Sequence, residues 1–153
     1  MRDPSEQVWP GVRVMLDVVY TAHSKLTFYA RDIICEHAFE QGVTPLNPFR
    51  MFGYFLSDRV DRDLVREANN TVVRLADQTW VYGPVSNGVW HEVVLAHKLG
   101  KPVRYWTVAT WAADIKPATA LDVEVEDQLC GELGTDADGV RERLALLGGE
   151  GHG

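Results

Sequence analysis

Two rhythms of apolar residues alternate along this chain. Val12 to Ala22 (VRVMLDVVYTA) is rich in β-branched residues and apolar on both faces, as a strand inside a parallel sheet should be. From Leu26 to Gln41 the spacing turns helical, with Phe28, Ile33, Ile34, His37 and Ala38 near one face, and Gly42 stops it. A short strand is expected around Val43 to Leu46, then a loop with Asn47, Pro48, Phe49 and Arg50. The next helix is predicted over Asp58 to Leu75, its apolar stripe made of Val60, Leu64, Val65, Ala68, Val72 and Val73. Gln78 to Gly83 reads as a strand and Pro84 to Gly88 as a turn of loop-forming residues. Val89 to Leu99 reads as a helix ended by Gly100, and Val103 to Val108 as a further strand. One or two short helices are expected beyond Ala109.

The order βαβαβαβ predicts an α/β fold: a three-layer, Rossmann/flavodoxin-like parallel sheet with helices on both faces, because crossovers are short and right-handed. The expected organisation is an N-terminal extension over 1–11, a single α/β domain over 12–147 and a disordered tail over 148–153. Ligands of such sheets bind beyond the carboxyl ends of the strands, near the switch in strand order. Three loops are expected there: Ala22 to Lys25, Asn47 to Arg50 and Gly83 to Gly88.

Composition narrows the ligand. A formal charge of -7 argues against a nucleic-acid or anionic-membrane surface, yet a few local donors can still hold one phosphate. The two cysteines, Cys35 and Cys130, form no CxxC pair, and the five histidines show no metal-ligand spacing, so no metal is expected. With no GxGxxG and no P-loop, no cofactor is expected either. Met1 to Pro10 has no apolar signal segment, and no run approaches the roughly 18 apolar residues of a membrane span. A soluble cytoplasmic protein is the expectation.

The most informative stretch is Ser86-Asn87-Gly88-Val89-Trp90-His91-Glu92, where a strand gives way to a helix. Such a turn offers free backbone N–H groups and the positive end of a helix dipole. Ser86 adds a hydroxyl, Gly88 lets the backbone approach a ligand, and Glu92 lies far enough along to reach back into the same cleft. The plain structural alternative is that Ser86 caps the helix and Glu92 is an early-helix carboxylate favoured by the dipole.

The pattern Ser-x-Gly-Val-x-x-Glu, after a strand that begins near an Asp, resembles the signature of the nucleoside 2-deoxyribosyltransferases and their relatives. Those relatives include 2'-deoxynucleoside 5'-phosphate N-hydrolases and CMP N-glycosidases. The resemblance implies that Glu92 is the nucleophile that attacks the anomeric carbon and that Ser86 contacts a 5'-phosphate. In the transferases an Asp usually stands at that place, so Ser86 points towards a nucleotide. Tyr20-Thr21-Ala22-His23-Ser24 is similar to the family's Tyr-x-x-x-Ser, which implies a phosphate role for Ser24; a helix N-cap is its alternative. The block Asp63 to Val81, with Asp77 before the strand, also aligns, and the resemblance spans roughly Val14 to Trp106.

One position departs from that pattern. The family usually carries an Asp eight residues before Asp77; here it is Asn69. An amide hydrogen-bonds but cannot act as a general acid, whereas glycoside cleavage normally employs two carboxyl groups. Asn69 borders the apolar stripe, so it needs a partner, either a ligand or a neighbouring loop. Asp63 is a possible substitute acid or a solvated charge. Tyr20, His23, Asn47 and Arg50 complete the expected base- and sugar-binding set. His91 could tune Glu92, and Trp80, Trp90 and Trp106 are expected in the core or at a dimer contact.

These residues support three readings. The first is hydrolysis of the N-glycosidic bond of a nucleoside 5'-monophosphate through Glu92. The second is a nucleotide-binding module without turnover, and the third is transfer of the sugar to another base. The expected partners are a small-molecule nucleotide or nucleoside and a second copy of the chain. Trp111 and the segment Val123 to Leu133 are candidates for that homodimer interface.

Overall fold

In the computed structural model, which describes residues 9–12, 15–52 and 55–149 apart from the side chains of residues 55 and 57, the first strand is shorter than the apolar run that announces it. Strand β1 is Val18–Ala22; residues 15–17 lead into it, the Asp17 carbonyl accepting from the Thr44 amide at 2.8 Å, and residues 13 and 14 of the expected strand lie outside the described residues, as do 1–8 and 150–153 of the expected extension and tail. Val19 and Tyr20 are both fully buried, on opposite faces, as the two-residue period of a strand dictates.

The expected helix after β1 begins as a 3-10 segment, Lys25–Ala30, in which Thr27 leaves helical geometry, and becomes α1 at Arg31–Glu40. Gly42, at φ 83°, turns the chain into β2, Thr44–Leu46. The loop expected at Asn47 to Arg50 is instead a one-turn helix, α2 (Pro48–Met51), capped by Asn47 and opened by a proline. A 3-10 turn, Phe55–Asp58, precedes α3, Arg62–Leu75, so that helix starts four residues later than its apolar stripe suggested. Asp61 sets that start by accepting from the Asp63 amide. Of the stripe, Val72 and Val73 are buried but Leu64 is exposed: only the C-terminal half of α3 is fully seated on the core.

Strand β3 is Gln78–Tyr82, α4 is Asn87–Lys98 and β4 is Val103–Trp106. Beyond them come β5 (Pro117–Ala118), α5 (Asp127–Leu133) and α6 (Ala137–Leu147). The sheet runs β2-β1-β3-β4-β5. The first four strands are parallel and β5 is antiparallel to β4, a departure from the all-parallel expectation. The reason is the connection: only residues 107–116 join β4 to β5, too few for the crossover a parallel partner requires.

Two cores flank the sheet. Ala30, Ile34 and Ala38 of the α1 region pack with Val19, Trp80 and Trp106 on one face. Tyr20, Val81, Val89, Val93, Leu129 and Leu144 meet on the other. Trp80 and Trp106 are therefore core residues, and Trp90 packs half-buried at the second core's edge. Val123 and Leu129, expected at a subunit interface, are buried in this chain's own core, while Trp111 stands exposed. No helix among the described residues is long and apolar enough to cross a membrane.

Candidate active site

From β1 the chain moves to β2 on one side, and from β3 to β4 on the other. The carboxyl ends of β1 and β3 therefore border the crevice where doubly wound sheets bind ligands. Helix α4 starts there, directly after β3. Gly83, at φ 75°, makes the exit turn; a Cβ at that position would lie 2.8 Å from Val108 Cγ2. Ser86 caps α4 by accepting from the Val89 amide at 3.2 Å, which leaves its hydroxyl hydrogen and the amides of the first helical residues facing outward from the helix head. A side chain at Gly88 would meet nothing closer than Ser86 Oγ at 3.9 Å, so the backbone there is open to approach.

Glu92 lies further along α4, and its carboxylate oxygen Oε2 accepts a hydrogen bond from the Tyr20 hydroxyl of β1. Tyr20 is fully buried and Glu92 partly so. Burial strips water from the carboxyl and pushes its pKa up to about 7; the Tyr20 hydrogen bond pulls it part of the way back. The Tyr20 phenol is held well above its ordinary value, by burial first and by the neighbouring carboxylate second. Near neutral pH, the pair is thus a carboxyl group that exchanges between nucleophile and acid, next to a phenol that keeps its proton.

On the opposite face Thr21, His23, Thr27 and Asn47 form a closed network. Asn47 Nδ2 donates to Thr21 Oγ1 and to His23 Nε2, each at 3.0 Å. Its Oδ1 accepts from the amides of Phe49 and Arg50 at the head of α2. Thr27 Oγ1 donates to the Ser24 carbonyl, so it accepts from His23 Nδ1, 3.0 Å away, and the network fixes a neutral imidazole protonated at Nδ1. Burial lowers the His23 pKa to about 4. His23 also meets the Phe49 ring edge-on at 4.7 Å between centroids. Ser24, almost fully buried, accepts from the Leu26 amide at 3.1 Å and so acts as a cap.

The structure thus places Ser24 after β1 and Ser86 with Gly88 after β3, joins Tyr20 of mid-β1 to Glu92 of α4, and engages the polar atoms of His23 and Asn47 with the protein itself. Arg50 and Asp63 are turned to solvent. Arg50 pairs with Asp32 at 2.8 Å, beside an open groove of about 660 Å³ that Cys35, Glu36 and Phe39 also line. Asp63 pairs with Arg66 at 3.0 Å. Asn69 is half-buried on α3, which packs against α4, and its Oδ1 is buried with no hydrogen-bond partner. His91 is exposed. Asp77 accepts from the Val18 amide and so ties β1 to the start of β3.

One residue escaped the sequence. Segment 124–126 pairs with Val85 through Val85 N–H to the Glu124 carbonyl and Glu126 N–H to the Val85 carbonyl, at 2.9 and 3.1 Å. That places Glu126, whose Oε2 is buried without a hydrogen-bond partner, abreast of the turn that carries Ser86. No local pattern in the tail signals a single bridge to a residue 40 positions earlier. Among the described residues no cluster of three metal-ligating side chains occurs.

A family model described as a domain of unknown function, DUF7768, matches residues 20–106. The chain belongs to that family. The DUF7768 span opens on Tyr20 and closes on Trp106, the last residue of β4, so it holds both members of the Tyr20–Glu92 pair and leaves out β5, α5 and α6. No curated protein matches the chain. Nine chains of solved structures do. One is a 2-deoxyribosyltransferase from the psychrotolerant bacterium Bacillus psychrosaccharolyticus, 20% identical, with 59% of this chain and 72% of that one covered at a TM-score of 0.46.

Proposed function

We propose that this DUF7768 domain hydrolyses the N-glycosidic bond of a nucleoside 5'-monophosphate. The observation that carries the reading is the Tyr20–Glu92 pair: a carboxyl with a pKa raised by burial to about 7, hydrogen-bonded by a buried phenol, on the helix that follows β3. Ionised Glu92 attacks C1' of the sugar, and the bond to the base breaks with its electron pair leaving on nitrogen. Water then attacks C1' of the glycosyl ester, releasing the sugar 5-phosphate and returning the carboxyl group. Ser86, Ser24 and the amides near Gly88 hold the phosphate at the head of α4. Tyr20 positions the carboxylate, Asn69 orients the base from α3, and the His23–Asn47 network braces β1 from its other face. The motif Ser86-x-Gly-Val-x-x-Glu92, with its resemblance to the nucleoside deoxyribosyltransferase group, supports the same chemistry.

A nucleotide-binding module is the second reading, favoured by an amide at Asn69. The two separate in a base-release assay over ribo- and deoxyribonucleoside monophosphates, with chromatography of the free base. Glu92→Ala is expected to lower release at least a thousandfold, about 4 kcal/mol of transition-state stabilisation, while nucleotide affinity persists. Binding without release by the native chain would establish the module. Release that requires a second base as acceptor would establish transfer.

A further inference from the structure

The residues singled out above to meet the base keep their protons or have none to give. Tyr20 donates its proton to Glu92 and holds it well beyond neutral pH. His23 is neutral, and its one N–H is committed to Thr27. Asn69 presents a buried carbonyl oxygen that still lacks a donor. Asp63 is turned to solvent and paired with Arg66. A neutral purine or pyrimidine is a poor leaving group unless an acid protonates it as the bond breaks. Glu126, whose Oε2 is buried without a hydrogen-bond partner at the Ser86 turn, is tested below; the other residues named here supply no acid, which suits a base that arrives already positively charged.

We propose, on the basis of the N-glycosidase reading above, that the preferred substrate is a cationic N-glycoside: a sugar 5-phosphate joined to a pyridinium-type or N-alkylated purinium ring. The balance then needs no acid. The Glu92 carboxylate forms the C1'–O bond, the C1'–N bond breaks, and its electron pair neutralises the ring, which leaves as a neutral base. Water next attacks C1', the C1'–O ester bond breaks, and the proton that water loses passes to Glu92 and on to solvent. Before the bond breaks, Glu92 and the unpartnered Asn69 oxygen supply the negative potential that a cationic ring seeks.

The test compares matched substrates with the full chain. 7-Methylguanosine 5'-monophosphate and GMP differ by one methyl group and one charge; nicotinamide mononucleotide supplies the pyridinium case. Release is measured by chromatography and corrected with Glu92→Ala for spontaneous loss of the charged bases. The expected result is a kcat/KM at least a hundredfold higher for 7-methylguanosine monophosphate than for GMP, abolished by Glu92→Ala. A preference for nicotinamide mononucleotide over both purine nucleotides would assign the pyridinium class. Glu92-dependent release that is as fast from GMP as from its methylated form overturns this inference and leaves the glycosidase reading standing. If that GMP release also disappears in Glu126→Gln, Glu126 is the missing acid. No Glu92-dependent release from either charged substrate overturns this inference, and no release from these or from the nucleoside monophosphate panel overturns both.

Discussion

The two faces of β1 at its carboxyl end hold polar groups of opposite character. On one face, Thr21, His23, Thr27 and Asn47 satisfy one another: Asn47 alone uses both amide hydrogens and takes two backbone donors on its oxygen. On the other, the partly buried Glu92 accepts from Tyr20, and burial raises its pKa. Satisfied buried networks fix a structure, whereas a carboxyl whose pKa burial raises towards neutrality is poised for chemistry. The same strand supplies Tyr20 to one and Thr21 to the other, so the network holds rigid the element from which the reactive pair is built.

The largest effect that separates the faces is on stability. Asn47→Ala removes the α2 cap, the donor to His23 and the donor to Thr21 at once, and is expected to cost about 2–4 kcal/mol in chemical denaturation. It should lower turnover only as far as it loosens β1, so that per folded molecule kcat falls less than tenfold. A loss of activity as deep as that of Glu92→Ala, at unchanged stability, would place the network in the chemistry and erase the distinction.

Next is the pH dependence of folding, where the faces have opposite signs. The raised value of Glu92 means that the folded chain keeps a proton the unfolded chain has lost between about pH 4.5 and 7. Stability therefore falls as pH rises across that window, and Glu92→Gln should stabilise the fold at pH 8 by on the order of 1–3 kcal/mol while changing little at pH 4.5. His23 acts in reverse: between about pH 6.5 and 4 the unfolded chain binds a proton that the folded chain refuses, so acidification destabilises. Removing the Glu92 contribution should expose that loss as a steeper fall below pH 6.5. Equal pH profiles for the native chain and Glu92→Gln would show that Glu92 is not desolvated.

The contrast also explains what was legible beforehand. The β-branched runs and glycine stops fixed the order of β1, α1, β2, α3, β3, α4 and β4, because each has its own period. Ser86 and Glu92 were visible because a cap and a carboxylate lie within one local motif. The short β5 and the bridge of Val125 to Val85 were not, since a two-residue strand and a single bridge carry no periodic signal. Asn47 was placed correctly at the end of β2, but its bonds to Thr21 and His23 depend on how β1 and β2 align, which local spacing does not give. Arg50 and Asp63 had the right chemistry for a site, yet surface pairs with Asp32 and Arg66 hold them outward.

The finest distinction lies within the reactive pair. Tyr20 touches Glu92 without adding a second acid, so its role is to position and tune the carboxyl group. Its hydrogen bond favours the ionised carboxylate against the pull of burial. In Tyr20→Phe that support is gone, and the Glu92 pKa rises above about 7. Because attack requires the carboxylate, the rising limb of kcat/KM against pH should move to higher pH. At pH 7 the loss is expected to be about tenfold, roughly 1.4 kcal/mol, and it should shrink as the pH is raised to 9 and Glu92 ionises in the variant as well. A purely structural role for the phenol predicts the same fractional loss at every pH. A tenfold loss that stays constant from pH 6 to 9 would make Tyr20 a packing residue and remove its hydroxyl from the chemistry.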